Sequence, residues 1–340
     1  MKWVSAISER ASLDEAVAEC TSTLIAQLGD ETPDLVLAFV SPHHGPQYAR
    51  TPELVREALG DALLLGCSAG GVIGGGREVE QRPGFALTAA SLPGVTLVPF
   101  HLDDDTMPDL DAGPDRWEGA VNVEAKAAPQ FVLLADPFSM RAENMLLGLD
   151  YAFPASAKIG GLASGAQQPE GNALFLQDAV HRAGAVGVAM HGNIILDTIV
   201  AQGCRPIGQP MQITACRSNV PLELDGQKPL RTLQSLLDHL SQRDQELARH
   251  SLFLGVLMDE LKDDPKHGDF LIRNIVGIDG ESGSVAVGEV LKEGKTVQFH
   301  LRDATTSAED LEAVLSRYGD ALEGPDISGA LLFSCLGRGQ

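Results

Sequence analysis

The chain has 340 residues, enough for two domains that each bury a core, and its 44% hydrophobic and 21% charged content is that of a globular protein rather than a disordered one. A formal charge of −22, from 47 acidic against 25 basic side chains, repels phosphate backbones and anionic lipid, which excludes nucleic acid and membrane surfaces as partners. Five scattered cysteines with no Cys-x-x-Cys pair, and no apolar leader in Met1-Lys2-Trp3-Val4-Ser5-Ala6, fit a cytoplasmic protein with reduced thiols better than a disulfide framework or a zinc site.

In chain order, residues 3–7 read as a short strand. Residues 12–28 read as an amphipathic helix with Val17, Cys20, Leu24 and Leu28 on one stripe. Residues 34–40 form an apolar run ended by Ser41-Pro42, a buried strand. Residues 51–59 form the next helix, with Thr51 as its cap and Pro52 at the first helical position. Leu63-Leu64-Leu65 runs into Gly66-Cys67-Ser68-Ala69-Gly70-Gly71, and residues 85–90 form another strand before Pro93-Gly94 turns the chain. The order returns with a strand at 131–137, a helix at 142–149, the glycine turn Ile159-Gly160-Gly161-Leu162-Ala163-Ser164-Gly165 and a strand at 184–190. Thirty positions separate Val36 from Gly66 and twenty-nine separate Val132 from Gly161, so residues 30–95 and 128–192 read as an internal duplication.

Beyond the second copy, residues 193–201 and 211–216 are expected as strands, and residues 230–249 as a helix linking two domains. The boundary falls near 219–229, giving domains 1–225 and 226–340. Residues 252–257, 270–279, 285–287 and 297–301 predict a small antiparallel β layer, with a turn at Asp279-Gly280 and a hairpin turn at Glu293-Gly294-Lys295. A helix over 307–318 follows, and residues 329–335 read as the first strand of a third unit. The fold class is α/β: layered mixed sheets with helices, an internally duplicated strand-helix-strand-glycine turn-strand unit, and a smaller antiparallel β-rich second domain.

The 66–76 turn lacks the Lys-Ser/Thr of a nucleotide P-loop, but its amides could hold a carboxylate or similar anion. A ligand between this turn and the matching 160–165 turn, clamped by Arg205 or Arg273, gives the candidate binding set Gly66, Cys67, Ser68, Gly70, Gly71, Gly161, Ser164, Arg205 and Arg273. Cys67 is the candidate nucleophile if a histidine lies within reach, with a buried, inert thiol as the alternative. His43 and His44 adjoin a strand end, a common place for ligand contacts, whereas His300 alternates within a strand and reads as packed or surface. Asp103-Asp104-Asp105 reads as a solvated loop rather than a calcium site, and Asp269, Arg302-Asp303 and Arg338 as members of surface ion pairs.

Four segments carry a resemblance: Gly66-Cys67-Ser68-Ala69-Gly70-Gly71, Gln202-Gly203-Cys204-Arg205-Pro206-Ile207-Gly208, Phe270-Leu271-Ile272-Arg273-Asn274-Ile275-Val276-Gly277-Ile278-Asp279, and residues 329–339 ending Ser334-Cys335-Leu336-Gly337-Arg338-Gly339. Together they resemble the FIST proteins, which pair an N-terminal and a C-terminal FIST domain. The resemblance implies an intracellular sensory module that binds a small-molecule ligand, anionic or amino-acid-like, and signals through a separate partner such as a histidine kinase, cyclase or chemoreceptor. One branch of the family is associated with haem and nitric-oxide sensing, which keeps haem open as a cofactor. The family pattern continues past Gly-Arg-Gly into a further helix, glycine turn and histidine-containing strand. Here that end is expected to be missing, leaving the last strand to seek a partner edge, as in a homodimer. Beside the sensor reading stand a Cys67-dependent enzyme and an interaction scaffold.

Overall fold

β1 (Lys2–Ser8), α1 (Leu13–Leu28), β2 (Leu35–Val40), α2 (Thr51–Leu59), β3 (Leu63–Ser68), the small hairpin β4 (Gly71–Gly74) with β5 (Arg77–Glu80), and β6 (Phe85–Ser91) follow one another in that order. The order then repeats: β7 (Val95–Leu102), α3 (Pro114–Val121), β8 (Gln130–Ala135), α4 (Ala142–Ala152), β9 (Lys158–Leu162), the hairpin β10 (Leu174–Leu176) with β11 (Ala179–His181), and β12 (Ala185–Gly192). One sheet runs β1-β6-β2-β3-β10-β11 and the other β7-β12-β8-β9. In each, a parallel pair, β2 with β3 and β8 with β9, is joined through a helix and flanked by an antiparallel return strand. The second hairpin does not stay with its own sheet: β10 pairs with β3, placing Leu174 opposite Cys67. The structure, a computed structural model, describes residues 1–262, 265, 268–280, 282–321 and 327–336.

Successive strand residues point to opposite faces, and here both faces are apolar, the mark of sheets buried on two sides. Val36, Ala38 and Val40 of β2 pack under α1, whereas Leu35 and Leu37 face the second sheet. Phe131, Leu133 and Ala135 of β8 pack under α3 and α4, whereas Val132 and Leu134 face the first sheet. The result is helix, sheet, sheet, helix. Trp117 of α3 lies against Gly148 of α4, where an added Cβ would stand 1.9 Å from the indole.

By contact, the chain divides into Met1–Thr198 with the described part of Pro325–Gln340, and Ile199–Gly324. This contact division falls ahead of residues 219–229 because β13 (Cys204–Arg217) buries Ile207 and Ile213 in the core of the second unit; it divides the chain by packing and does not test the sequence boundary. That unit is one antiparallel sheet, ordered β14 (Val220–Leu224), β13, β18 (Thr296–Arg302), β15 (Leu252–Leu257), β16 (Phe270–Asp279) and β17 (Ser284–Val287). α5 (Pro229–Asp238) and α6 (Gln242–Ala248) cover one face, and Ser241 caps α6 by accepting from the Asp244 amide. Ser241 therefore divides the single helix expected over 230–249. α7 (Ala304–Ala321) begins earlier than expected, because Asp303 accepts from the Thr306 amide at 2.7 Å.

Other expectations are corrected. Thr51 is not a cap: a 3-10 helix over Pro42–Arg50 runs directly into α2, so Thr51 and Pro52 both sit inside its first turn. Residues 193–201 form no strand; Ile194 and Leu196 lean on the inter-sheet core while Ile195 and Val200 are exposed. Glu293-Gly294-Lys295 does not join a hairpin. The Gly294 amide donates to Ile213 and Lys295 accepts from it, so the turn rests on β13, while β17 pairs with β16. Residues 327–336 make no strand ladder; Leu331 and Phe333 pack on the inter-sheet core, with Phe333 edge-on to Phe39. Gly337, Arg338 and Gly339 lie outside the described residues. Among the described residues no helix is long and apolar enough to cross a membrane.

Candidate functional site

In the first unit the two glycine turns meet at the carboxyl ends of the parallel strands. Gly70 N–H donates to Ser164 Oγ at 3.1 Å, and Ser164 N–H donates to the Ser68 carbonyl at 3.1 Å. Below them runs a buried polar chain. Ser68 Oγ donates to Asn172 Oδ1 at 2.9 Å, and Asn172 Nδ2 donates to Asp136 Oδ1 at 2.9 Å. Asp136 also accepts from Ser139 Oγ at 2.6 Å and the Phe138 amide at 3.2 Å. These bonds tie the end of β3 in one sheet to the end of β8 in the other. Gly66 stands opposite Ala38 in the β2–β3 ladder and Gly71 opposite Glu80 in the β4–β5 hairpin, and the Gly70 amide is taken by Ser164. Leu336 lies over Gly70, and Phe333 lies near Gly161.

Cys67 lies in the core between the sheets, and burial pushes its thiol up to about 12. The exposure and lowered pKa that a nucleophile needs are absent. Burial likewise pushes Cys20 up to about 12, helped by the charge of Glu19. Both groups unfold to a value near 9.0, so between pH 9.0 and about 12 the folded chain keeps protons that the unfolded chain releases. Their contribution is full below pH 9.0 and is lost above it, at up to about 1.4 kcal/mol per pH unit for each thiol. Urea titrations on either side of that pH should show Cys67→Ala falling less steeply than the parent chain; equal slopes would contradict the assignment.

His44 is also buried, in the 3-10 helix rather than on an open loop. Neither ring nitrogen has a hydrogen-bond partner among the described residues, and desolvation lowers its pKa, favouring the neutral ring. Asp104 of the acidic run accepts from the backbone and side chain of Arg141. Arg205 and Arg273 belong to the second unit. Arg205 pairs with Asp244 and Asp303, and Arg273 pairs with Glu289. Asp269 is bound by Lys262 at 2.6 Å.

The second unit contains a cavity of about 390 Å³. β18 sends Val297, Phe299 and Leu301 into the core under α5 and α6, which leaves Gln298, His300 and Arg302 on the opposite face. On that face His300, Cys204, Phe270 and Ile272 meet Asp310, Val314, Arg317 and Tyr318 of α7, whose spacing sets them on one helix face. Gln202 completes the wall, donating to the Phe270 carbonyl and accepting from the Ile272 amide. His300 is buried across Gly255, where a Cβ would stand 2.5 Å from its Cε1. Its Nδ1 lies 2.9 Å from the Gln298 carbonyl, which fixes the donor on that nitrogen. Asp310 accepts from the Gly203 amide at 2.8 Å. Arg317 reaches the rim, donating Nε to Ala313.

A family model for the FIST N domain matches residues 34–227 and one for the FIST C domain matches residues 230–340. The chain belongs to the FIST family. FIST domains are sensory, signal-transduction domains. An uncharacterized protein of Mycobacterium tuberculosis is 33% identical over 334 residues, spanning 98% of this chain and 85% of its own length. An uncharacterized Mycobacterium bovis protein is 31% identical over 326 residues, spanning 96% of this chain and 82% of its own. The FIST segment Gln202-Gly203-Cys204 supplies three neighbours of the cavity region, a signal visible in the sequence. Asp310, Arg317 and Tyr318 carried no such signal, because only the folding of α7 over the sheet brings them there.

Proposed function

We propose that this FIST chain is a non-catalytic input module that binds a small carboxylate-bearing, amino-acid-like metabolite in the second-unit cavity and passes its occupancy to a separate signalling protein. The observation that carries the reading is the convergence of Gln202, His300, Asp310, Arg317 and Tyr318 on one cavity with an apolar wall of Phe270, Ile272 and Val314. Its volume, about 390 Å³, is at the small end for ligand sites, in keeping with a metabolite rather than a peptide. Arg317 uses Nε on Ala313, and its terminal nitrogens have no partner among the described residues, so they are placed to form a fork with a carboxylate. Because α7 supplies one wall, a ligand that favours one setting of α7 shifts that helix, and a partner reads the shift.

The test is a thermal-shift screen of free amino acids and small carboxylic acids against the full chain and Arg317→Ala. The expected result is a stabilising compound whose affinity falls roughly thirtyfold in Arg317→Ala, about 2 kcal/mol for a lost charge-assisted fork. A shift unchanged by the substitution, or no shift from any compound, would sink the reading.

A further inference from the structure

Cys204 opens β13 directly opposite Arg302 at the end of β18, so both side chains stand on the same face of the sheet. Arg302 Nε donates to Cys204 Sγ at 3.2 Å. The guanidinium is held in place from two further sides: it lies 4.4 Å from the centre of the Phe253 ring, and its terminal nitrogen reaches the Gln202 carbonyl at 3.5 Å. Among the described residues no carboxylate pairs with Arg302, in a chain with 47 acidic side chains and 25 basic ones. The partner of this cation best able to carry negative charge is therefore the Cys204 sulfur. A guanidinium at hydrogen-bond distance favours the thiolate over the thiol, and thiolate is the reactive form.

The neighbouring cysteines lack this arrangement. Cys20 and Cys67 are packed into apolar cores, Cys216 donates to the Leu291 carbonyl, and Cys335 is exposed. Cys204 is itself buried, but it lines the cavity with His300, so a reagent of a few atoms can reach it where a protein thiol cannot. The other charged groups on that cavity are Asp310, held by the Gly203 amide, Asp269, held by Lys262, and Arg317.

We propose that Cys204 is a redox-sensing thiol of this chain, a modification site at which a small hydroperoxide admitted to the cavity oxidises the sulfur beside Arg302. The thiolate attacks one peroxide oxygen; an S–O bond forms as the O–O bond breaks. The leaving hydroxide or alkoxide takes a proton from solvent. The sulfur is oxidised by two electrons to a sulfenic acid, and the hydroperoxide is reduced to water or an alcohol. Arg302 is a positioning residue, acting through the charge state of the sulfur. The inference stands on Cys204 and Arg302 and does not depend on carboxylate binding at Arg317.

The experiment treats the folded full chain with limiting hydrogen peroxide, traps sulfenic acid with dimedone, and reads all five cysteines by peptide mass spectrometry. Cys204, with the Arg302 guanidinium against its sulfur, is expected to take the label about tenfold faster than exposed Cys335. Label appearing first on Cys335 or Cys216, with Cys204 slower, would overturn the proposal without any variant being made. Arg302→Met should slow Cys204 about tenfold and Arg302→Lys should restore part of the rate. A Cys204 rate unchanged in a folded Arg302→Met chain, checked by circular dichroism, would equally overturn it.

Discussion

Replacing Gly160 by alanine will destabilise the first unit by on the order of 4 kcal/mol, the sum of a strained φ and a backbone collision. Gly160 has φ 155°, and an added Cβ would stand 1.8 Å from the Leu133 carbonyl oxygen, a neighbour that cannot rotate away. Leu133 is its register partner across the parallel pair β8–β9. The first copy repeats the device: Gly66 is opposite Ala38 across β2–β3, and its Cβ would stand 2.1 Å from the Ala38 oxygen. Gly66→Ala should therefore also lose several kcal/mol, roughly the cost of overpacking a tight core. Gly119, inside α3 with nothing near its Cβ position, is the control, and its replacement by alanine should gain about 0.5–1 kcal/mol. Urea unfolding midpoints decide the matter; a Gly160→Ala chain as stable as the Gly119→Ala chain would contradict the close approach.

Asp136→Ala is expected to cost on the order of 3 kcal/mol, because its carboxylate is fully buried and collects bonds from Ser139, Phe138 and Asn172. Its loss leaves Asn172 Nδ2 with only the longer bond to the Ala163 carbonyl at 3.3 Å. Ser68→Ala removes the other end of the chain and should cost about 1–2 kcal/mol, since a neutral bond is weaker than one to a carboxylate. Because both act through Asn172, the double substitution should cost less than the sum. Additive losses in chemical denaturation would mean that the two sheets are not coupled through this residue.

Much of the first unit could be read from the chain because its signals are local. Continuous apolar runs in 35–40 and 131–135, and glycines at matching distances, announce strand, helix and tight strand again. What could not be read depends on pairing at long range. β10 leaves its own copy to pair with β3, and nothing in Leu174-Phe175-Leu176 says which sheet edge it will join. Residues 193–201 have strand-like composition but acquire no ladder, and residues 329–335 make none among the described residues, Leu331 and Phe333 packing on the inter-sheet core instead. The glycine turns were expected to face each other, and they hydrogen-bond directly; the basic residues expected to join them, Arg205 and Arg273, have acidic partners in the second unit. The cavity is least legible of all. Its residues are spread from 200 to 318, and His300 and Cys204 become neighbours only through the register of β13 with β18.

The central claim, that the second-unit cavity receives a small carboxylate, is tested most directly by methyl-resolved NMR of the labelled full chain titrated with the strongest compound of the screen. The account predicts saturable shifts at Ile272 and Val314, which line the cavity, with little change at Val72 beside the glycine turn of the first unit. Shifts centred on Val72 and the 66–76 turn, with Ile272 and Val314 unmoved, would contradict it.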